Sequence, residues 1–361
     1  KKDYIFFAIK GHKLNGEKFI NEAIKKGARV VICSKKCKYK NNNIVVIKTS
    51  DIRNLLSEIS SKFYSSKPKN IIAVTGTNGK TSVADLFYQI LSINKVPVAS
   101  IGTLGVKFKG RKIVTDLTSP DTIALHKTLE KLKKAKIENV ILEASSHGLI
   151  QKRMNHLKVK AAIFTNFSQD HLDYHKTMKS YLNAKLLLFK KIISKNKTVI
   201  SDKSINEYSI LKKISKERKL HLLDINSLSK KLEKKFKLAF NNFQYKNLSM
   251  AIIAAKKCGL TEKKIFSSIK RLKNVDGRLE LVKKFSNNIK IFVDFAHTPD
   301  ALLKSINSLK NSYGDNITLV FGCGGDRDFK KRKLMARIAS LNCKKIYVTD
   351  DNPRTENPNK I

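Results

Sequence analysis

The residues best suited to chemistry lie at positions 71–82, where the sequence reads IIAVTGTNGKTS. The apolar part predicts a buried strand, and a helical pattern follows from Val83 to Leu91. Backbone N–H groups in a glycine turn at a helix N-terminus attract phosphate, while lysine adds positive charge and a threonine hydroxyl suits Mg²⁺. Val74 stands where a full Walker A pattern has Gly, so a plain strand–helix turn with an exposed lysine is the alternative. We predict a phosphate-binding loop made of Gly76, Thr77, Asn78, Gly79, Lys80, Thr81 and Ser82.

Acidic residues follow two other strands in the same part of the chain. Glu143 ends the apolar run VILE at 140–143. A carboxylate at the end of a buried strand is costly unless it is paired or binds a cation, so Glu143 is a candidate ligand of a magnesium–nucleotide complex. A carboxylate that caps the next helix is the alternative. The segment FTNFSQDHLDYH at 164–175 gathers two acids and two histidines. Metal or phosphate chemistry and an N-cap aspartate with loop histidines explain it equally well.

Polar residues also follow three successive strands near the end of the chain. The segments are DFAHTPD at 294–300, FGCGGDRD at 321–328 and DDNPRT at 350–355. Ligands bind beyond the carboxyl ends of strands in open α/β sheets, so this repetition indicates a shared cleft rather than three plain loops. Arg327 and Arg354 are each able to bind a carboxylate through two hydrogen bonds.

The elements that must position these segments alternate between strand and helix, which predicts an α/β fold. A polar linker around Pro68 and a turn at 274–278 divide the chain into residues 1–66, 67–274 and 275–361. We expect a small α/β unit, a central parallel sheet and an incomplete doubly wound, Rossmann-like unit. Predicted strands are 4–9, 28–33, 44–48, 71–75, 99–101, 139–143, 161–165, 198–200, 291–295, 317–321 and 345–348. Predicted helices are 17–26, 52–64, 83–91, 123–134, 178–193, 247–258, 300–310 and 332–339.

Composition excludes several classes of protein. The chain has 361 residues, 41% of them hydrophobic, which suffices for two or three cores. No apolar run is long enough to insert into a membrane, and the first residues lack the pattern of a signal peptide. The five cysteines are scattered, complete no zinc set and suit a reducing cytoplasm. Because the chain begins without Met, directly in a strand pattern, and stops after a polar turn, we expect both ends to be cuts through a longer protein.

The net charge of +45 is the feature that most suggests nucleic acid. However, lysine far outnumbers arginine and is spread over the whole chain, and Asn and Ile are also abundant. This distribution indicates a general bias toward Lys, Ile and Asn. We therefore expect no specific nucleic-acid partner, only non-specific adhesion to polyanions at low salt.

Taken together, these motifs resemble the Mur ligase family, in particular the branch that adds the third residue of the stem peptide in peptidoglycan synthesis. The resemblance covers nearly the whole chain in order, from FFAIKGH at 6–12 through the loop at 76–81 to DNPR at 351–354. It implies a three-domain fold with a central phosphate-loop domain. It also implies ATP and Mg²⁺, a carboxylate activated as an acyl phosphate before an amine attacks it, and a cytoplasmic monomer.

The same resemblance assigns the catalytic residues. Lys80 would stabilise the transferred phosphoryl group, Thr81 and Glu143 would hold one Mg²⁺, and His171 would serve a second. Lys185 matches a lysine that the family carbamylates, which turns a cation into an anion able to bind or orient Mg²⁺. From the residues alone, Lys185 is a solvated helix lysine like many others. Asn247, Asp294 and His297 are expected at the nucleotide.

The resemblance also implies two further substrates. UDP-N-acetylmuramoyl-L-alanyl-D-glutamate would be held by His12, Lys13, Leu14, Thr118, Ser119, Ser145, Gln151 and Arg153. The arginine of DNPR typically marks enzymes that use meso-diaminopimelate, whose second carboxylate a guanidinium can clamp and which lysine lacks. The expected diaminopimelate contacts are Arg327, Asp351, Asn352, Pro353 and Arg354.

The chain departs from the family pattern in four places. The family's opening strand with a serine that contacts uracil, and its far C-terminal contacts to diaminopimelate, are expected to lie beyond the two ends of the sequence given. The chain has Asn242 and Lys333 where the family usually has Gly and Pro. Three alternatives stay open: a lysine-adding ligase, a folylpolyglutamate synthase-like ligase and, from a different class, a polyanion-binding protein.

Overall fold

The computed structural model describes residues 3–11, 14–236 and 242–361. The first unit is a three-stranded parallel sheet in the order β1-β2-β3. Its small core gathers around Ala8, Ile20 and Val31, all buried. The strands are β1 (Tyr4–Phe7), β2 (Ala28–Ser34) and β3 (Val45–Thr49), and the helices are α1 (Ile20–Lys25), after a 3₁₀ turn at Gly16–Phe19, and α2 (Ile52–Phe63).

The central unit is built on an eight-stranded sheet with the order β11-β10-β9-β4-β8-β5-β6-β7. The neighbours from β11 to β5 are parallel, and β6 and β7 add an antiparallel edge. The strands are β4 (Asn70–Thr75), β5 (Val98–Gly102), β6 (Gly105–Phe108), β7 (Arg111–Ile113), β8 (Asn139–Glu143), β9 (Val159–Phe164), β10 (Thr198–Ser201) and β11 (His221–Asp224).

Helices cover both faces of this sheet. Ile71 and Ala73 of β4 join one apolar cluster, and Ile72 and Val74 join the other. A parallel strand buried on both faces reads as a continuous apolar run, which is why 71–74 shows no alternation. The helices are α3 (Lys80–Ile93), α4 (Thr122–Lys134), α5 (Ser146–Ile150), α6 (Leu172–His175), α7 (Met178–Leu187), α8 (Tyr208–Glu217), α9 (Asn226–Lys235), α10 (Asn242–Lys257) and α11 (Glu262–Ser268).

The third unit has less sheet and a smaller core. Its two helices pack together around the buried side chains of Leu302, Ile306 and Met335. The strands are β12 (Glu280–Lys284) and β13 (Lys290–Val293), which pair antiparallel, and β14 (Thr318–Phe321) and β15 (Lys345–Val348), which pair parallel. The helices are α12 (Pro299–Tyr313) and α13 (Lys330–Asn342).

The α/β prediction and the central parallel sheet are confirmed. Several details differ from the sequence-based expectation. One strand and five helices of the central unit were not predicted, namely β11, α5, α6, α8, α9 and α11. The strand predicted at 291–295 pairs antiparallel with β12, which was not predicted, and not with β14. The single helix predicted at 178–193 is α7 followed by a π-helical segment at Leu188–Ile192. The β6–β7 hairpin was missed, because both strands are short and β7 is exposed. No helix among the described residues has the length and apolar character to cross a membrane.

Candidate functional site

The predicted phosphate loop lies where β4 ends and α3 begins. Gly76 and Gly79 have φ angles of 145° and 84°, which non-glycine residues rarely adopt. A Cβ atom on Gly76 would lie 1.8 Å from Thr165 Oγ1, so the turn also needs a glycine for space. Gly79 is the N-cap of the fourteen-residue helix α3. The positive end of that helix therefore faces the turn, as an anion site requires.

Two lysines converge on one carbonyl of this turn. Lys80 Nζ donates to Gly76 O (3.0 Å) and Thr77 O (2.7 Å), and Lys185 Nζ, from α7, donates to Gly76 O (2.7 Å). Burial lowers the pKa of Lys80, although Glu143 and Asp170 oppose the shift. Burial and the charge of Lys80 lower the pKa of Lys185 well below its ordinary value. The side chain of Lys185 is therefore no solvated helix lysine.

Glu143 lies at the end of β8 and is almost completely buried. Its Oε2 accepts a hydrogen bond from Thr81 Oγ1 (3.0 Å), and Thr103 donates to it from N (2.8 Å to Oε1) and Oγ1 (3.2 Å to Oε2). The bare α-carbon of Gly102 makes room, since a Cβ there would lie 2.0 Å from Oε1. Burial raises the pKa of Glu143, while Lys80 opposes the shift. A cation beside this carboxylate would offset the free-energy cost of burying its charge.

Asp170 and His171 follow β9 and face the third unit. Asp170 lies 3.3 Å from Lys331 Nζ and 3.4 Å from His297 Nε2. Burial alone raises the pKa of Asp170, but the hydrogen bond from His297 and the charge of Lys331 outweigh it and hold the pKa well below its usual value. Burial lowers the pKa of His171 to about 3, so its imidazole is neutral near pH 7 and able to bind a metal ion.

The third unit also contacts the phosphate loop directly. Asn78 Nδ2 donates to Asp300 Oδ2 (3.1 Å), and Thr298 Oγ1 donates to Asn78 Oδ1 (3.2 Å). Close by, Gln169 Nε2 donates to Asp328 Oδ2 (3.0 Å). The loop therefore lies between two units, and a nucleotide bound there would touch both.

Sequence reasoning missed Arg278. Its Nη2 donates to Thr81 Oγ1 (3.2 Å), and its guanidinium lies 4.9 Å from the centre of the Phe295 ring. Burial lowers its pKa, although Asp294 and Glu143 oppose the shift. Asp294 accepts hydrogen bonds from the backbone N–H groups of Leu279 and Ala296, so it fixes the turn that carries Arg278. An arginine in a turn between two predicted domains was the available signal.

The residues expected to hold the UDP-linked substrate form a second group beside Glu143. Ser119 Oγ donates to Glu143 O (2.7 Å) and contacts Ser145 Oγ (2.9 Å), and Ser145 is the N-cap of α5. Arg153 donates to Ser119 O (2.5 Å) and to Gln151 Oε1 (2.7 Å). Thr118 Oγ1 lies 3.2 Å from Thr103 Oγ1, which links this group to Glu143.

Other predicted residues are placed less closely. Asn247 of α10 has its amide beside Gly79, and His297 is largely exposed apart from its contact with Asp170. Leu14 is exposed in the first unit, while His12 and Lys13 lie outside the described residues. Arg354 contacts its own unit through Gly325 O (2.5 Å). Arg327 and Asp351 are exposed on the neighbouring loops.

The donor set around Glu143 fits Mg²⁺. Within the described ranges, no three His, Cys, Asp or Glu side chains gather into a complete metal cage. Mg²⁺ does not need one, because it keeps waters and is usually held by one or two carboxylates together with substrate phosphates. Glu143 and the Thr81 hydroxyl, at the start of the helix that faces the phosphates, supply that kind of partial set.

Comparison with known proteins gives consistent family matches. Residues 1–64 match the Mur ligase family catalytic domain, residues 74–267 the Mur ligase middle domain and residues 277–361 the Mur ligase glutamate ligase domain. The UDP-N-acetylmuramoyl-L-alanyl-D-glutamate--2,6-diaminopimelate ligase of Rickettsia bellii is 40% identical over 100% of this chain and 80% of its own length. The ligase of the same name from Rhizobium meliloti is 35% identical over 99% and 78%.

Solved structures give the same picture of the fold. A structure of UDP-N-acetylmuramoyl-L-alanyl-D-glutamate--2,6-diaminopimelate ligase matches with a TM-score of 0.71 at 27% identity, covering 100% of this chain and 78% of that one. Ligand-free bifunctional folylpolyglutamate synthase/dihydrofolate synthase from Yersinia pestis matches with a TM-score of 0.65 at 18% identity, covering 85% and 83%. At that identity the second likeness concerns the fold alone.

Proposed function

The chain belongs to the Mur ligase family and is a ligase, and from that premise we propose that it uses ATP to join meso-diaminopimelate to UDP-N-acetylmuramoyl-L-alanyl-D-glutamate in peptidoglycan synthesis. The observation that carries the proposal is the convergence of Lys80, Thr81 and Glu143 on one buried turn that also touches the third unit. The names of its relatives supply the substrates.

A carboxylate is a poor electrophile, so the γ-phosphoryl group of ATP is transferred to it first, and the amine of the amino acid then displaces phosphate from the acyl phosphate. Positioning and charge neutralisation carry most of such catalysis. Lys80 would leave the carbonyls of Gly76 and Thr77 and bind the terminal phosphate. The backbone of Gly76, Thr77, Asn78 and Gly79, with the side chain of Ser82, would line the phosphates. Arg278, Asn247, Asp294 and His297 would approach the nucleotide from its other side.

Thr81 and Glu143 would hold one Mg²⁺, and His171 would serve a second. When bound, the ions neutralise the mutual repulsion of phosphate and carboxylate. Lys185 would act as a carbamate. Carbamylation needs an unprotonated amine, and the burial that lowers the pKa of Lys185 favours that form. The resulting anion would lie between the phosphate turn and α7.

The substrates would enter from two sides. Ser119, Ser145, Gln151 and Arg153, with Thr118, would hold the UDP-linked peptide, and His12, Lys13 and Leu14 would approach its uridine end. Arg354 and Arg327 would bind the second carboxylate of diaminopimelate, with Asp351, Asn352 and Pro353 shaping the loop. We place domain boundaries near residues 66 and 274, since α2 ends at Phe63 and β12 begins at Glu280. We further propose a cytoplasmic monomer, and the five unpaired cysteines fit that compartment.

The test is an assay of ADP release with ATP, Mg²⁺ and the UDP-linked dipeptide. We expect diaminopimelate to start turnover and lysine to be a much poorer substrate, because lysine offers no second carboxylate. Replacing the dipeptide by folate should abolish ADP release. Turnover with lysine or folate instead would favour the corresponding alternative ligase. DNA binding that persists in high salt, without ADP release for any amino acid, would favour the polyanion-binding alternative.

A further inference from the structure

Two loops of the third unit run backbone against backbone. The glycine-rich loop (residues 322–328) donates Gly325 N–H to Asn352 O (3.0 Å) of the DNPR loop (residues 350–356). A Cβ on Gly325 would lie 1.9 Å from Pro353 O, and one on Gly322 would lie 2.2 Å from Thr349 O. The two loops therefore approach so closely that the position of one sets the position of the other.

Side-chain hydrogen bonds to the carboxylates of Glu356 and Asp326 stabilise this contact. Glu356 Oε1 accepts from Asp326 N (2.5 Å), and Arg332 Nη2 donates to Glu356 Oε1 (2.8 Å) and Oε2 (2.9 Å). In the opposite direction, Thr355 Oγ1 donates to the carboxylate of Asp326 (2.7 Å to Oδ1). The hydrogen bond to Arg332 lowers the pKa of Glu356, so the carboxylate is ionised near pH 7.

The ion pair with Glu356 is made by a residue of helix α13. Arg332 lies in the first turn of α13, with only 15% of its side chain exposed. The preceding residue, Lys331, is buried and ion-paired with Asp170 of the central unit (3.3 Å). One helical turn thus joins the DNPR loop on one side to the phosphate site on the other.

Arg354 depends on this arrangement. It adopts a left-handed φ of 52°, unusual for a residue with a side chain. Its Nη1 donates to Gly325 O (2.5 Å) and Asn352 O (3.3 Å), so the guanidinium is held against the glycine-rich loop. A backbone in this conformation persists only when its surroundings fix it.

We propose that Arg332 and Glu356 are positioning residues that hold the DNPR loop so that Arg354 presents its guanidinium to the second carboxylate of the amino acid. This inference rests on the proposed function, because it assigns a cause to the selectivity for diaminopimelate over lysine. Neither residue needs to touch the substrate. Their effect passes through Arg354 and through the contact between the two loops.

The test is steady-state kinetics of the full chain with Arg332→Met. We expect KM for diaminopimelate to rise about tenfold, the effect of losing one charge-assisted hydrogen bond. KM for ATP and for the UDP-linked dipeptide, and kcat at saturating diaminopimelate, should stay within about twofold. Discrimination against lysine should fall, because lysine does not use the positioned guanidinium. Arg332→Lys should recover part of the loss, since it keeps the charge but not the fork geometry.

Arg337→Met is the matched control, because Arg337 is an exposed arginine on the same helix. Glu356→Gln keeps an acceptor for Asp326 N–H but loses the charge, and we expect an increase of about threefold. The double variant Arg332→Met/Glu356→Gln should be no worse than Arg332→Met, since the two residues act through the same ion pair. Additive effects, an unchanged KM, or equal losses for all three substrates with a lower Tm would each overturn the inference.

Hydrogen exchange tests the loop contact without turnover. We expect Arg332→Met to speed exchange of the amides of Gly325 and Asp326 at least tenfold, while Arg337→Met leaves them unchanged. Unchanged exchange in Arg332→Met would overturn the inference even if the enzyme is active. A wild-type chain that releases no ADP with diaminopimelate would contradict the proposed function instead, and the exchange result would still decide whether Arg332 holds the loop.

Discussion

The phosphate site and the DNPR loop are both predicted to bind charged groups, yet they are built differently. At the phosphate site Glu143 and Lys185 are almost completely buried, and each is held by polar groups from other elements. In the third unit Arg327 and Arg354 are exposed. The apolar cluster behind them is small, and its buried members are Leu302, Ile306 and Met335.

The two regions hold their charged side chains in different ways. Buried groups are fixed before the substrate arrives, and the low dielectric around them strengthens every interaction in the transition state. Exposed groups on loops are solvated, and a few hydrogen bonds order them. Damage to the first region should therefore appear in kcat, and damage to the second in the KM of one substrate.

The largest expected effect comes from a substitution at the phosphate site. Lys80→Met should lower kcat by about 10²–10³-fold, because the charge that would stabilise the transferred phosphoryl group is lost. Its Tm should not fall, since a half-buried ammonium with a lowered pKa is itself costly. The assay is ADP release, with the exposed Lys127→Met as control. A kcat within about threefold of wild type would remove Lys80 from the reaction.

The next effect concerns the link between the regions. Asp170→Asn should lower the free energy of unfolding by about 3 kcal/mol, because it leaves Lys331 buried without its partner. The pKa of Asp170 is lowered in the folded state, so its stabilising effect is present above about pH 4, the unfolded value, and is lost as the pH falls further. Denaturant unfolding at several pH values measures both the loss of unfolding free energy and its dependence on pH. Asp315→Asn, in an exposed ion pair, is the control and should change little.

Arg354→Ala tests the exposed region. We expect KM for diaminopimelate to rise about 10- to 100-fold, the range for losing a bidentate contact to a carboxylate, while kcat changes little. Turnover with lysine as the amino-acid substrate should be unaffected. Lys80→Met, by contrast, should lower kcat with either amino acid. An unchanged KM, with Arg337→Ala as reference, would refute this role of Arg354.

The smallest effect comes from a buried polar group that the site does not use. His126 of α4 is fully buried, and in the described part of the chain neither ring nitrogen has a hydrogen-bond partner. Burial and the charge of Lys67 lower its pKa to about 4. From about pH 6.5 down to that value the unfolded chain binds a proton that the folded chain does not, so stability falls as the pH falls.

We expect His126→Leu to raise the free energy of unfolding by about 1 kcal/mol at pH 7, because unpaired polar atoms are removed from the core. It should also flatten the stability profile between pH 6.5 and 4. Denaturant unfolding across that range is the measurement, and the exposed His221→Leu is the control. Equal slopes in His126→Leu and wild type would contradict the assignment.

Local signals explain what could be predicted. The strand before the phosphate loop was expected at 71–75 and is β4, Asn70–Thr75, because an apolar run, a glycine turn and a helical pattern all agree there. The strand that carries Glu143 was predicted with its observed bounds. The alternation of strands and helices along the chain predicts a parallel sheet. In such a sheet ligands bind at the carboxyl ends of the strands, so the position of the site could be predicted as well.

Long-range contacts explain what could not. Arg278 and Thr81 are 197 residues apart, and Lys331 and Asp170 are 161 apart, so no local pattern encodes either pair. Lys185 lies among 74 lysines and arginines, and its nearly complete burial and its hydrogen bond to Gly76 O are features that no sequence pattern shows. The family resemblance singled it out, whereas its carbamylation stays a prediction, as do the other roles of the site residues.

Gly102 illustrates how a catalytic group constrains a residue that performs no chemistry. Its α-carbon leaves the space that the Glu143 carboxylate fills. Even alanine at this position would displace that carboxylate from Thr81 and Thr103. A saturation-mutagenesis screen for growth should therefore find position 102 as intolerant as position 143, although an inspection of substrate contacts alone would score it as neutral.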